Sequence, residues 1–307
     1  MQNAVVLDNV VKVFGENHQK VVALDYLSLN IRRGEVFALV GPDGAGKTTT
    51  IRMMCGALTP TEGRVTILGM PMQTEREAIK KRIGYLSQRF SLYGDLTIDE
   101  NIDFFAEIHR VKDYKSRKEE LLQFTRLAPF RDRLAARLSG GMKQKLALAC
   151  TLIHTPDVIF LDEPTTGVDP VSRRDFWKIL SSLLKSGITI VVSTPYLDEA
   201  ERSTRVALLN EGKLLVCDKP EVIKASFTSE VVEVVADDAR KAVLVLNETK
   251  GEFGAQLFGD RLHVVLPKGK SSLEKLNQML KREGITVQSS RHILPSLEDV
   301  FIARVTS

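Results

Sequence analysis

Apolar and polar positions alternate along "VVLDNVVKVF" (5–14) and "ALDYLSLNI" (23–31), the two-residue period of half-buried β-strands. The next segment, "GEVFALVGPDGAGKTTTIRMMCGAL" (34–58), behaves differently: a compact apolar run meets a glycine-rich turn and then a helical pattern. This predicts a strand, a loop and a helix. "DVIFLDEPTTGVD" (157–169) and "ITIVVSTPYLDEAE" (188–201) repeat the scheme of a short buried strand ending in polar residues. Helices between such strands predict a mainly parallel sheet. Between them, about 97–155 carries helical patterning without comparable strands, as an inserted helical subdomain would. "VALLNEGKLLVCDKP" (206–220) reads as a hairpin turning at Glu211 and Gly212.

From about residue 228 the pattern becomes strand, helix, strand, strand, helix, strand, which predicts a small ferredoxin-like domain closed by the amphipathic piece "PSLEDVFIARV". The expected division is a first domain over 1–225 and a C-terminal α+β domain over 226–307. The fold class expected is therefore α/β, with a mainly parallel core, an antiparallel β subdomain and an inserted helical subdomain.

Composition narrows the choice of function. The longest apolar runs, "AVLVL" and "ITIVV", fall far short of the roughly 20 residues that cross a bilayer. The N-terminus shows no basic segment followed by an apolar stretch and cleavage site, so export is not expected and a cytoplasmic location is. Cys55, Cys150 and Cys217 are too widely spaced for metal-ligand pairs and are expected to be reduced and packed. A formal charge of +4, carried by short interrupted clusters such as "KKR" and "SRRD", gives no expectation of nucleic-acid binding.

"GPDGAGKT" (41–48) fits G-x-x-x-x-G-K-[ST] at the strand-to-helix junction where a phosphate-binding loop must lie. Gly41, Pro42, Asp43, Gly44, Ala45, Gly46, Lys47, Thr48 and Thr49 are the candidate nucleotide contacts. Gly44 and Gly46 let backbone N–H groups and the helix start face an anion, and Lys47 would reach the β- and γ-phosphates. Thr48 offers a hydroxyl to Mg²⁺. "VIFLDE" (158–163) delivers two carboxylates at a strand end: Asp162 to hold Mg²⁺ and Glu163 to polarise a water aimed at the γ-phosphate. "LSGGMKQ" (138–144) places a serine and two glycines at a helix start, a second anion-binding nest without its own lysine.

With "LSGGM" ahead of "LDEP", residues 4–225 resemble the ATP-binding-cassette family, whose signature motif reads LSGGQ. Met142 replaces the usual glutamine, and Gln144 is a partial substitute. The resemblance implies that Ser139, Gly140 and Gly141 contact phosphate and that Phe14 stacks on adenine, against the alternative of a core phenylalanine. It implies that Gln88 senses Mg²⁺ and the γ-phosphate and couples the site to a membrane partner. Asp169 would touch an opposing protomer, against the alternative of a turn-forming residue before Pro170. The implied cofactors are ATP and Mg²⁺. The implied partners are a second cassette packed head to tail, as a homodimer, heterodimer or fused tandem, and separate integral membrane permease subunits at the cytoplasmic face of the membrane. "PSLEDVFI" and the domain before it look like the drug and antibiotic exporter branch, the type-2 exporters.

One position departs from the family. Where a switch histidine contacts the γ-phosphate in most cassettes, "STPYLDEAE" has Pro195, which brings neither a side-chain donor nor a backbone N–H. Its fixed φ suits the first position of the following helix. Loss of one such donor costs roughly 10²–10³ in rate, so binding with slow hydrolysis is expected at this chain's own site. The competing readings are a soluble cassette acting on ribosomes or DNA, and a regulatory cassette with little turnover.

Overall fold

The computed structural model describes residues 2–15, 20–88, 92–248, 253–266 and 272–305. The chain divides into two compact units, Met1–Cys217 and Asp218–Ser307.

In the first unit, long strands β1 (Asn3–Phe14) and β2 (Val21–Arg32) pair antiparallel, and β4 (Glu62–Ile67) joins the other edge of β1. The short β5 (Met70–Pro71) completes a four-stranded sheet. Alternation in these strands is explained by burial of one face only. Leu7, Val10, Leu24, Leu27, Val65 and Ile67 point into a shared core with Ile51, Met53 and Met54. Those three come from α1 (Lys47–Met54), which follows β3 (Val36–Val40).

β3 is one of six strands in the second sheet. Its neighbours are β8 (Thr189–Thr194) on one side and β9 (Arg205–Asn210) on the other. β7 (Val158–Asp162) pairs with β8, and β6 (Ile83–Leu86) pairs with β7. All four of these pairings are parallel. β10 (Lys213–Asp218) extends the β9 edge through the expected turn at Glu211 and Gly212. Every residue of β3, β7 and β8 is buried, the reason their sequences run apolar without alternation. The strands β4, β5 and β6 and the short helix α2 (Arg76–Lys80) are elements that periodicity did not single out.

The helical insertion comprises α3 (Ile98–Ile108), α4 (Lys115–Thr125) and α5 (Gly140–Leu152), with two short 3₁₀ turns between the last two. α3 begins with a capping box: Thr97 Oγ1 accepts from Glu100 N at 3.2 Å, and Glu100 Oε2 accepts from Thr97 N at 2.7 Å. Buried Asn101 fastens the preceding loop by donating from Nδ2 to the carbonyls of Tyr93, Leu96 and Thr97 and accepting from Tyr93 N. α6 (Pro170–Lys185) and the four-residue α7 (Leu197–Ala200) follow β7 and β8.

The second unit takes in α8 (Pro220–Ala225), so it begins at Asp218 and not at the expected residue 226. Its sheet contains β11 (Glu230–Ala236), β12 (Gly254–Phe258), β13 (Arg261–Leu266) and β14 (Val287–Ile293) in the order β12-β13-β11-β14, with every pairing antiparallel. α9 (Ala239–Asn247) and α10 (Ser272–Arg282) supply Ala242, Leu246, Leu276 and Leu280 to a core with Val232, Val234, Leu262 and Val264. This is the expected ferredoxin-like arrangement. The closing helix α11 (Leu297–Val305) packs against α8. Among the described residues, no helix is long and apolar enough to cross a membrane.

Asn101→Ala would remove the side-chain donor shared by three carbonyls, each of which keeps one backbone N–H, and would take away the acceptor of Tyr93 N. It is expected to cost about 1–3 kcal/mol, read as a lower urea midpoint for unfolding of the full chain at unchanged slope.

Candidate functional site

Strand register builds the site. Val40, the last residue of β3, lies beside Thr194, the last of β8, and Ser193 lies beside Asp162, the last of β7. Three neighbouring parallel strands thus end at one level, and the segments leaving them converge at the carboxyl edge, where open α/β sheets bind ligands. The phosphate loop leaves β3, Glu163 leaves β7 and Pro195 leaves β8. Leu86, the last residue of β6, pairs with Leu161, which puts Gln88 at the same edge.

The loop 41–46 turns tightly into α1: Ala45 N donates to Pro42 O at 3.1 Å, and Thr50 N donates to Gly46 O at 2.9 Å. Gly44 and Gly46 take φ of 82° and 97°. A Cβ on Gly46 would sit 2.6 Å from Leu24 Cδ2 and 2.8 Å from Ala23 O, so only glycine fits there. Gly212 in the β9–β10 turn donates to Ala45 O at 3.2 Å and accepts from Asp25 N at 3.0 Å, clamping the loop from behind. Pro42 and Asp43 lie on the outer part of this loop, while Thr48 and Thr49 belong to the first turn of α1.

Lys47 Nζ folds onto the loop, donating to Gly41 O at 2.9 Å and Pro42 O at 3.0 Å, and stands 3.4 Å from Glu163 Oε1. Thr48 Oγ1 donates to Asp162 Oδ1 at 2.9 Å, and Ser193 Oγ donates to the same oxygen at 2.7 Å. The second oxygen, Asp162 Oδ2, is buried and has no hydrogen-bond partner among the described residues. A buried carboxylate oxygen left over beside a threonine hydroxyl is a donor set that fits Mg²⁺ with its water shell.

Glu163 has φ of 49°, a left-handed conformation uncommon outside glycine. The turn this makes at the strand end gives its side chain different partners from those of Asp162. Its N–H donates to Ser193 Oγ at 3.0 Å, and Oε2 accepts from Gln88 Nε2 at 2.9 Å and Thr166 Oγ1 at 3.3 Å. Lys47 and Gln88 gather on Glu163 and Thr48 on Asp162, and Ser193 joins the two groups by donating to the Asp162 carboxylate and accepting from the Glu163 N–H. The sequence does not single out Ser193; a hydroxyl closing the apolar run "ITIVV" was the available signal.

The other candidates lie outside this set. Phe14 is 40% exposed with Lys12 Nζ 5.1 Å from its ring centroid, so it is not a core residue. Ser139 caps α5 by accepting from Met142 N at 3.3 Å. Gly141 is where α5 touches α6, since a Cβ there would come within 2.6 Å of Ser172 Cβ. Gly140 and Gln144 face Gln88, Thr166 and Gly167 across a cavity of about 420 Å³. Asp169 caps α6, accepting from Val171 N and Ser172 N at 3.1 and 2.9 Å. The Ser172 hydrogen bonds hold its carboxyl below the usual aspartate range. Pro195 does not open the next helix as expected. α7 begins at Leu197 with Tyr196 as its cap, so the proline lies one residue ahead of the cap. The physical reason is Thr194 Oγ1, which accepts from Tyr196 N at 3.0 Å and forms a separate turn before the helix.

Residues 24–166 match a family model described as ABC transporter, and 219–305 match one described as the C-terminal domain of DrrA1-3-like ATP-binding proteins. The daunorubicin/doxorubicin resistance ATP-binding protein DrrA of Streptomyces peucetius is 32% identical over 307 residues, covering 98% of this chain and 92% of that one. The probable multidrug ABC transporter ATP-binding protein YbhF of Escherichia coli (strain K12) is 40% identical over 222 residues, 71% of this chain. The chain spans only 38% of that relative's length. A dimeric ATP-binding cassette solved in a post-hydrolysis state with ADP and Pi superimposes with a TM-score of 0.64 at 29% identity, over 70% of this chain and 98% of that one.

Ser193→Ala removes one of the two hydroxyl bonds that orient Asp162. Loss of a residue that supports a metal ligand weakens metal affinity by about 10–100-fold. Fluorescent-ATP binding titrated with Mg²⁺ is expected to need correspondingly more metal, with metal-free nucleotide binding nearly unchanged.

Proposed function

The chain belongs to the ATP-binding-cassette transporter family, and on that premise we propose that it binds and hydrolyses ATP to power a separate membrane permease. The observation that carries this reading is the single bonded set of Lys47, Thr48, Gln88, Asp162 and Glu163, joined through Ser193, at the carboxyl edge of the sheet. The relatives' names, daunorubicin/doxorubicin resistance and multidrug transport, support export of drugs or other small hydrophobic compounds.

The residues divide the work. The loop 41–46 and the start of α1 receive the phosphates on backbone N–H groups, and Lys47 exchanges its loop carbonyls for phosphate oxygens. Phe14, exposed at the end of β1, stacks on the adenine. Thr48 and Asp162 would hold Mg²⁺, which when bound would supply neutralisation of charge developing on the phosphates. Glu163 accepts a proton from the water that attacks the γ-phosphorus, with Gln88 aligning the carboxylate. The P–O bond to ADP breaks, and the products are ADP and phosphate.

Ser139, Gly140 and Gly141 act on a second cassette. In a head-to-tail pair they close over the nucleotide of the partner, and Asp169 meets the opposing subunit. A relative solved as a dimer supports this pairing. The pair is an unequal one. Pro195 withholds the γ-phosphate contact, so this chain's own site turns over slowly while its signature serves the other site. The second cassette is another subunit or lies in a longer polypeptide; the multidrug relative is long enough to contain two segments of the matched size. The assembly sits at the cytoplasmic face of a membrane, against its permease.

Turnover of the isolated chain tests the unequal pair. Wild type is expected to hydrolyse slowly, and Pro195→His to gain roughly tenfold or more. Glu163→Gln is expected to abolish hydrolysis with ATP affinity retained. Full-rate turnover by wild type, with no gain from the histidine, would refute the role given to Pro195.

A further inference from the structure

Glu199 in the four-residue α7 is 3% exposed, a buried acid that needs partners. Its Oε2 accepts from Thr165 Oγ1 at 2.8 Å and from Thr194 Oγ1 at 3.1 Å. Its Oε1 is buried, has no hydrogen-bond partner among the described residues and faces Arg173 Nη1 at 3.6 Å. Arg173 in turn lies over the ring of Tyr196, 4.8 Å from its centroid, and Thr194 Oγ1 also accepts from Tyr196 N.

The partners matter because of where they stand. Thr165 is two residues beyond Glu163, Thr194 immediately precedes Pro195, and Arg173 is on the first turn of the helix that Asp169 caps. One carboxylate therefore reaches three segments that leave the sheet edge: the loop carrying Glu163, the turn carrying Pro195, and the helix behind Asp169. A buried carboxylate is stable only while its donors stay in place, since an unpaired buried charge is costly. The constraint is mutual: none of the three segments can shift without uncovering Glu199.

We propose that Glu199 is a positioning residue for ATP hydrolysis, holding the Glu163 loop and the Pro195 turn at a fixed separation across the γ-phosphate site. A histidine in the switch position would be drawn into place by its own bond to phosphate. A proline has no such bond, so the turn must be held from behind, and Thr194 with Glu199 does this. The proposal rests on the ATPase reading given above.

The test uses the full chain, single-turnover hydrolysis of radiolabelled ATP with Mg²⁺, fluorescent-ATP affinity, and hydrogen exchange of the nucleotide-free protein. Glu199→Leu is expected to slow single-turnover hydrolysis by roughly 10–10²-fold, the scale of a misplaced reacting group. ATP affinity should stay within about twofold, because nucleotide binding does not use this carboxylate. Glu199→Gln keeps a carbonyl acceptor for the threonines and is expected to restore most of the rate. Equal losses of rate and affinity, or an unaltered rate in Glu199→Leu, would overturn the proposal. Should wild type show no turnover, the ATPase reading fails, and exchange still decides the tie. Faster exchange over both 163–169 and 193–197 in Glu199→Leu, but not in Glu199→Gln, supports it; unchanged exchange in either segment refutes it. If Glu199→Leu does not fold, Thr165→Val removes one donor and leaves the acid paired. A rate loss there without an affinity loss supports the role, and no rate loss refutes it.

Discussion

Asp162 is a fully buried carboxylate at the end of a central parallel strand, and the candidate site is organised around it. One oxygen is shared by hydroxyls from Thr48 and Ser193, which come from the elements following β3 and ending β8. Burying such a group is unfavourable unless its oxygens are satisfied. Strands β3, β8 and β7 must therefore end at the same level, and the loop before Thr48 must enter its helix at the right height. The unfilled oxygen, Asp162 Oδ2, is what remains for the metal that the proposed function requires.

Backbone conformation extends this constraint outward. Glu163, held left-handed, costs of order 1–3 kcal/mol relative to a relaxed residue, and strain of that kind persists where surroundings over-determine it. Its N–H bonded to Ser193 and its carboxylate bonded to Gln88 and facing Lys47 are those surroundings. The result is two adjacent acids with different company. Asp162 is closed off among hydroxyls, and Glu163 reaches the edge of the site, where a water would be activated.

The first layer of this organisation was legible in the sequence because the phosphate loop, the acidic strand end and the signature are local features. Each is a short run whose chemistry depends on neighbours in the chain. Gln88 and Asp169 were located only through the family resemblance, and an isolated glutamine or a capping aspartate carries no signal of its own. The structure removed one option for Phe14, which is exposed, and showed Asp169 engaged in capping α6, a role compatible with later contact by a partner. It also moved Pro195 out of the helix it was expected to start, because the hydroxyl of Thr194 inserts a turn that no propensity rule anticipates.

What Ser193 and Glu199 bind was not legible in the sequence for a common reason. Asp162 and Thr165, the partners that carry their roles, lie about thirty residues away, on a strand or loop that becomes adjacent only when the sheet forms. Periodicity reports which face of an element is buried, so the chain by itself determined the parallel core, the helical insertion, the ferredoxin-like unit and the glycine-rich turn between β3 and α1. Register between strands depends on packing of the whole sheet and is decided only in three dimensions. Which hydroxyl meets which carboxylate follows from that register, and with it the way a turn lacking a histidine is held beside the site.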